Sequence, residues 1–203
     1  MRKLVFLAVV FSFLALATLA SAQQGDAMVG FGTVASPGAY ACGTTSSINF
    51  ICPEKGGLYI NAGGDVIFHH RFGLGFDASW RASQGLYPQT EVPYRPIIFD
   101  FNGVYQPRLS KRIGADLFGG VGWQDTRYYG YTNNFSCNAL GACYNSSNHF
   151  LVDVGAGLRY YVWGHFFVRP EARYYRIFNN TVDFTSDNVF RVGASIGYTI
   201  GPE

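Results

Sequence analysis

Apolar and polar residues alternate with period two in eight separate stretches, the pattern of strands whose two faces meet different surroundings. The first is short: Ala27, Val29, Phe31 and Thr33 share one face, and Met28, Gly30 and Gly32 the other. The second places Leu58, Ile60, Ala62, Gly64, Val66 and Phe68 opposite Tyr59, Asn61, Gly63 and Asp65. The third runs Phe72, Leu74, Phe76, Ala78, Trp80, Ala82 against Gly73, Gly75, Asp77, Ser79, Arg81, Ser83. In the fourth, Ile97, Phe99, Phe101 and Tyr105 oppose Ile98, Asp100 and Asn102; in the fifth, Ile113, Ala115, Leu117, Val121 and Trp123 oppose Gly114, Asp116, Phe118, Gly120, Gly122 and Gln124. The last three cover roughly 150–160, 166–175 and 190–200, each with charged residues on one face only.

The connections between these stretches alternate strictly in length. Those at 69–71, 107–111 and 162–165 are short, whereas those at 35–57, 84–94, 125–148 and 179–187 are long. In an up-and-down antiparallel barrel this sorting puts every short turn at one end and every long loop at the other. Membrane barrels have that asymmetry, and a soluble barrel has no reason for it. The predicted fold is therefore all-β: an eight-stranded antiparallel up-and-down transmembrane β-barrel.

Charge placement decides which face is outside. Asp65, Asp77, Arg81, Asp100, Asp116, Asp153, Arg159, Arg169, Glu171, Arg173 and Arg191 all lie opposite the apolar face. A soluble, lipocalin-like ligand-binding barrel would turn these charges to water and line its cavity with Leu, Ile and Phe. Three features favour the inverted arrangement. The polar face is rich in Gly, Ser and Asn with widely spaced charges, and the apolar face is nearly unbroken apart from Pro170 and Arg176. Aromatics also gather near the strand ends: Phe68, Phe72, Tyr105, Tyr160, Trp163, Phe166 and Tyr198 toward the short turns, Trp80, Trp123, Phe150 and Tyr174 toward the long loops. Eight strands enclose space only for side chains, so the eleven charges are expected to form an interior ion-pair network rather than a pore.

Composition adds the compartment. Arg2 and Lys3, an apolar stretch from Leu4 to Ala20 and the small residues Ala20-Ser21-Ala22 form a signal-peptide pattern, giving an expected export signal over 1–22 and a barrel domain over 23–203. Without Arg2 and Lys3 the basic count equals the 13 acidic residues, so no basic surface for nucleic acid is expected. The chain has 25 Gly, 14 Tyr and 18 Phe, and no second long apolar run that would suit a membrane helix. Four cysteines in an exported chain read as two disulfides with three connectivities. Cys42 and Cys52 share the first long connection, and Cys137 and Cys143 share the third, so local pairing is the economical choice. Their spacing suits neither a zinc site nor a redox dithiol.

The last stretch, NVFRVGASIGYTI, resembles the C-terminal assembly signal of small Gram-negative outer-membrane barrels, the class that includes the OmpA transmembrane domain and OmpX-like proteins. It departs from that signal by continuing past Ile200 to Gly201-Pro202-Glu203 instead of ending on Phe. The resemblance implies an outer-membrane location among lipid, insertion by the barrel-assembly machinery, periplasmic termini and turns, and extracellular long loops. A monomer is expected, with an extracellular partner left open.

No catalytic, cofactor or metal site is predicted. The weak candidates for a nucleophile and base are Ser147 (or Ser146) and His149, near the loop end of the sixth strand, with no third member fixed by sequence. His69, His70 and His165 fall in short turns, and the Asn-x-Ser/Thr matches at Asn134, Asn145 and Asn179 read as chance in polar loops. The function expected is that of a structural or surface-contact barrel, with a small channel and a lipid A-modifying enzyme as alternatives.

Overall fold

The computed structural model describes residues 24–39, 43–44, 50–68, 71–86, 91–130, 136–137 and 143–201. The expected signal peptide over 1–22, His69, His70 and Cys42 lie outside the described residues. Eight long strands form the wall: β1 (Gln24–Ala35), β2 (Tyr59–Ile67), β3 (Phe72–Arg81), β4 (Pro93–Tyr105), β5 (Ile113–Tyr129), β6 (Cys143–Trp163), β7 (Phe166–Ile177) and β8 (Asn188–Ile200). Each pairs antiparallel with its neighbours in sequence, and β1 pairs with β8, as Val29 opposite Ile196 shows. Closure leaves no strand edge unpaired, as a backbone in hydrocarbon requires.

The period-two pattern works as the alternation predicts. Val29, Phe31, Leu74, Phe101, Val154, Leu158 and Ile196 project outward, with Leu74 63% exposed, whereas the charged residues opposite them are buried. A wall this apolar outside and this charged inside suits lipid, and it excludes the soluble-carrier alternative, which needs the reverse. The aromatic bands are present as well: Phe72 stacks on Tyr105 at 4.6 Å at the turn end, and Trp123 packs against Phe150 at 5.8 Å at the loop end. Arg176, near the loop end of β7, pairs with Asp187 at 3.1 Å. Pro170 sits opposite Ala194 on β8, and the ladder between β6 and β7 skips Leu158 and Arg159 beside it. A proline has no N–H to give to that ladder.

One expectation needs correction. The connection expected over 125–148 is largely strand: β5 and β6 stay paired out to Tyr129 opposite Tyr144, forming a ribbon above the barrel. Thr and Tyr favour strands, and Arg127 lies over the Tyr144 ring at 4.9 Å, which holds the two strands together across the ribbon. Of the four cysteines, Cys52 and Cys143 are each disulfide-bonded, and Cys143 faces Cys137 in a short antiparallel pairing.

Candidate functional site

The lumen is filled in three levels, beginning at the turn end with ion pairs. Arg159 donates from Nη1 to Asp26 Oδ2 at 2.6 Å and from Nη2 to Asp116 Oδ2 at 3.1 Å. Its guanidinium lies 4.1 Å from the centre of the Phe167 ring. That ring occupies the space beside Gly197, where any Cβ would run into it. Asp26 also accepts from Thr199 Oγ1 at 2.7 Å and from Gln106 Nε2 at 3.1 Å. Further in, Arg169 reaches Asp65 (3.4 Å), Asp116 (3.3 Å) and Glu171 (2.7 Å), and Arg191 bridges Glu171 (2.7 Å) to Asp77 (2.9 Å). Arg173 pairs with Asp100 at 2.8 Å and stacks on Phe118 at 4.0 Å. Asp153 is buried with neither oxygen hydrogen-bonded, and its nearest cation is Arg173 at 3.9 Å.

Ten of the eleven charges expected in the lumen therefore come together. Arg81 stands apart at the loop end, where its Nη1 donates to the Tyr94 hydroxyl at 3.0 Å. Asp26 is a member that the sequence reading missed, although it continues the alternation of Met28 and Gly30 by one step. With it, the network sets seven carboxylates (Asp26, Asp65, Asp77, Asp100, Asp116, Asp153, Glu171) against four guanidiniums (Arg159, Arg169, Arg173, Arg191).

Above the ion pairs lies an apolar layer of Val34, Tyr59, Ile98, Leu151, Tyr175, Ile177 and Val189, all buried. Ser79 and Gln124, the register partners of Ile98, are buried at the same level.

The third level is a cap made by two loops. The segment after Cys52 folds over the mouth: Ser36 Oγ donates to the Glu54 carbonyl (2.6 Å), and Gly56 N–H donates to Val34 O (2.8 Å). This buries the Glu54 side chain, whose Oε1 accepts from the Tyr59 hydroxyl at 2.9 Å. Burial pushes the Glu54 carboxyl up to about 7. The Tyr59 and Gln124 hydrogen bonds and the Arg81 charge pull the other way, while Asp183 adds to the rise. The second loop inserts Asn180 and Phe184. Asn180 Nδ2 donates to Ser186 O (2.8 Å), which leaves its Oδ1 to accept from Gln124 Nε2 (2.9 Å). Phe184 packs edge-on against Tyr94.

The sequence candidates for chemistry, Ser147 and His149, belong to this cap. Ser147 Oγ lies 2.9 Å from His149 Nε2, and Asp183 Oδ2 lies 2.7 Å from the same nitrogen. A hydrolytic triad needs the hydroxyl and the carboxylate on opposite ring nitrogens, so that one orients the ring while the other gives up its proton. Here both compete for one atom. His149 acts as a strap that ties Asp183 of the second loop to β6. No group of three His, Cys, Asp or Glu side chains among the described residues is placed to hold a metal ion.

Comparison with known proteins agrees with this architecture. The chain is similar to Neisserial surface protein A, with 9% identity, a TM-score of 0.58 and coverage of 87% of this chain and 96% of that one. It resembles a major outer membrane protein from Thermus thermophilus at 10% identity and a TM-score of 0.58, covering 88% and 99% of the two chains. The attachment invasion locus protein of Yersinia pestis matches at 12% identity and a TM-score of 0.54, again over 88% and 99%. At these identities the likeness is one of fold. No curated protein matches the chain. The family model described as "Outer membrane protein beta-barrel domain" matches residues 6–198. The chain belongs to that family, an outer-membrane β-barrel with its short turns in the periplasm and its long loops outside.

Proposed function

We propose that the protein is a closed, structural barrel whose extracellular loops and β5–β6 ribbon make surface contacts, and that it conducts no solute. The observation that carries this reading is the buried apolar layer around Ile98 and Leu151, set between a filled ion network and a hydrogen-bonded cap. A channel would need a continuous open polar path, and the packed side chains of this level leave little room for one. The ribbon presents Arg127, Tyr128, Tyr129 and Tyr144, residue types that anchor interfaces well. Residues 1–22 serve as the export signal in this reading, the barrel-assembly machinery inserts the chain, and the inserted protein is a monomer.

Purified protein in planar bilayers tests the closure. The expected record is a flat baseline with no steady openings, and a reproducible unitary conductance would overturn the proposal. Lipid A recovered from cells making wild type or His149→Ala should have the same mass spectrum. A change that depends on His149 would restore the enzyme reading.

A further inference from the structure

Charge is distributed very unevenly between the two ends of the barrel. At the turn end the exposed charged residues among those described are Arg71, Arg108, Lys111 and Arg112, none of them acidic; Asp26 is buried inside. All four cations lie on two neighbouring turns, the one joining β2 to β3 and the one joining β4 to β5. The third turn, Gly164-His165, contributes no Lys or Arg. The cationic rim is thus confined to one side of the barrel.

The two turns are built as one unit. Gln106 N–H donates to the Arg71 carbonyl at 2.9 Å, which joins them directly. Ser110 Oγ accepts from the N–H groups of Arg112 (3.3 Å) and Ile113 (3.1 Å), which fixes the second turn internally. Beside them the lumen opens in a hollow of about 260 Å³ with Arg71, Arg108 and Lys111 at its rim and Asp116 and Arg159 of the ion network also in its lining. Cations carried on turns whose backbone is already fixed lose less freedom when an anion arrives.

Apolar surface adjoins the rim and identifies the anion as part of an amphiphile. Leu109, between Arg108 and Ser110, is 62% exposed. Phe72 follows Arg71, Tyr105 precedes Gln106, and their rings stack on the lipid-facing wall where the strands enter the two cationic turns. A soluble phosphate would use the cations and leave this surface unused. A phospholipid uses both, because a cationic cluster beside interfacial aromatics matches its headgroup and the start of its acyl chain.

We propose that this side of the periplasmic rim is a binding site for an anionic phospholipid of the inner leaflet, its phosphate on Arg71, Arg108 and Lys111 and its acyl chain along Phe72 and Tyr105.

The test is native mass spectrometry of the intact barrel taken from mixed micelles containing phosphatidylglycerol and phosphatidylcholine. Wild type should retain phosphatidylglycerol in preference to phosphatidylcholine, and R71Q/R108Q/K111Q should retain about tenfold less of it. A charge-matched control at the loop end, K55Q/R95Q/R176Q, should retain as much as wild type. Phe72→Ala should weaken retention without removing the headgroup preference. Equal retention of the two lipids by wild type, or a triple variant that retains phosphatidylglycerol normally, would overturn the proposal. So would displacement of the lipid by inorganic phosphate at equal concentration, which would mark a soluble-anion site. Heat-modifiable gel migration reports whether each variant is folded. If the triple variant is not folded, Lys111→Gln alone decides the matter: a reduced preference supports the site and an unchanged one rejects it.

Discussion

At the loop end of the barrel, two segments fold inward, Glu54, Asn180 and Phe184 are buried, and a buried, mostly apolar cluster of seven side chains lies beneath them. At the turn end nothing folds inward. A hollow opens there onto Arg159 and Asp116, and ion pairs packed against Phe118 and Phe167 fill the end of the lumen. The difference follows from the lengths of the connections. A turn of two to seven residues has little backbone to spare for a cap, whereas a long loop can return to the mouth and exchange its water contacts for buried hydrogen bonds. The turn end must therefore be stabilised by pairing of charges, and the loop end by exclusion of water.

Arg159→Leu is the severest challenge to the turn end. It removes the counter-charge of Asp26 and Asp116 together with the stack on Phe167. Breaking a buried pair from one side leaves uncompensated charge, so urea unfolding in micelles should show a loss of about 3–5 kcal/mol. Adding Asp26→Asn and Asp116→Asn should recover most of it. A loss below about 1 kcal/mol would mean that water entering the hollow replaces the guanidinium, and the contrast between the ends would then be one of hydration rather than pairing.

The parts of this picture legible in the sequence are those that repeat with period two. A strand between lipid and lumen must alternate, so the eight strands and ten of the network charges can be read directly from residue order. Asp26 could have been read the same way, and was lost only because the first strand was started at Ala27. The apolar layer is harder to see. Ile98, Leu151 and Val189 are apolar residues on the inward face, so alternation fades where they occur and gives no cue to which way they point. Glu54 had no signal at all. Its burial is decided by how a loop returns to a distant mouth, which no local pattern records. The β5–β6 ribbon was misjudged for a related reason, since polar strands above a membrane lose the apolar face that marks them.

Glu54 allows the loop end to be tested by pH. Below about pH 4.5 its carboxyl is protonated whether the cap is closed or open, and the cap has its full stability. Between about 4.5 and 7 an opened cap ionises Glu54 while the closed one keeps it neutral, so stability falls as pH rises, and it levels off above about 7. The total loss is about 3 kcal/mol from one carboxyl shifted this far. Tyr59, Arg81, Tyr94 and Asp183 are the charged or titratable groups facing it. Hydrogen exchange at Gly56, whose N–H is bonded to Val34, should lose protection over that window in wild type and stay level in Glu54→Gln once intrinsic exchange is corrected for. A wild-type profile as level as the variant's would show that the carboxyl is already solvated, and that the cap is not the dry closure described here.

The smallest effect is expected where the two regimes meet, at Asp153, one turn of the strand pleat below Leu151. Its carboxylate has no hydrogen-bond donor and shares Arg173 with Asp77 and Asp100, in a network with three more carboxylates than guanidiniums. Losing it therefore breaks no close pair. Asp153→Asn keeps the shape, removes one uncompensated charge and brings an amide donor close to an ion cluster in which Asp100 Oδ2 also lacks one. The variant should be more stable than wild type by up to about 1 kcal/mol in the same urea titration, against the usual direction for a buried substitution. A loss of stability would mean that the carboxylate's long-range attraction to Arg173 and Arg191 outweighs its missing hydrogen bonds. Charge pairing would then extend up to the apolar layer, and the boundary between the two ends would lie one residue pair higher than the hydrogen bonds place it.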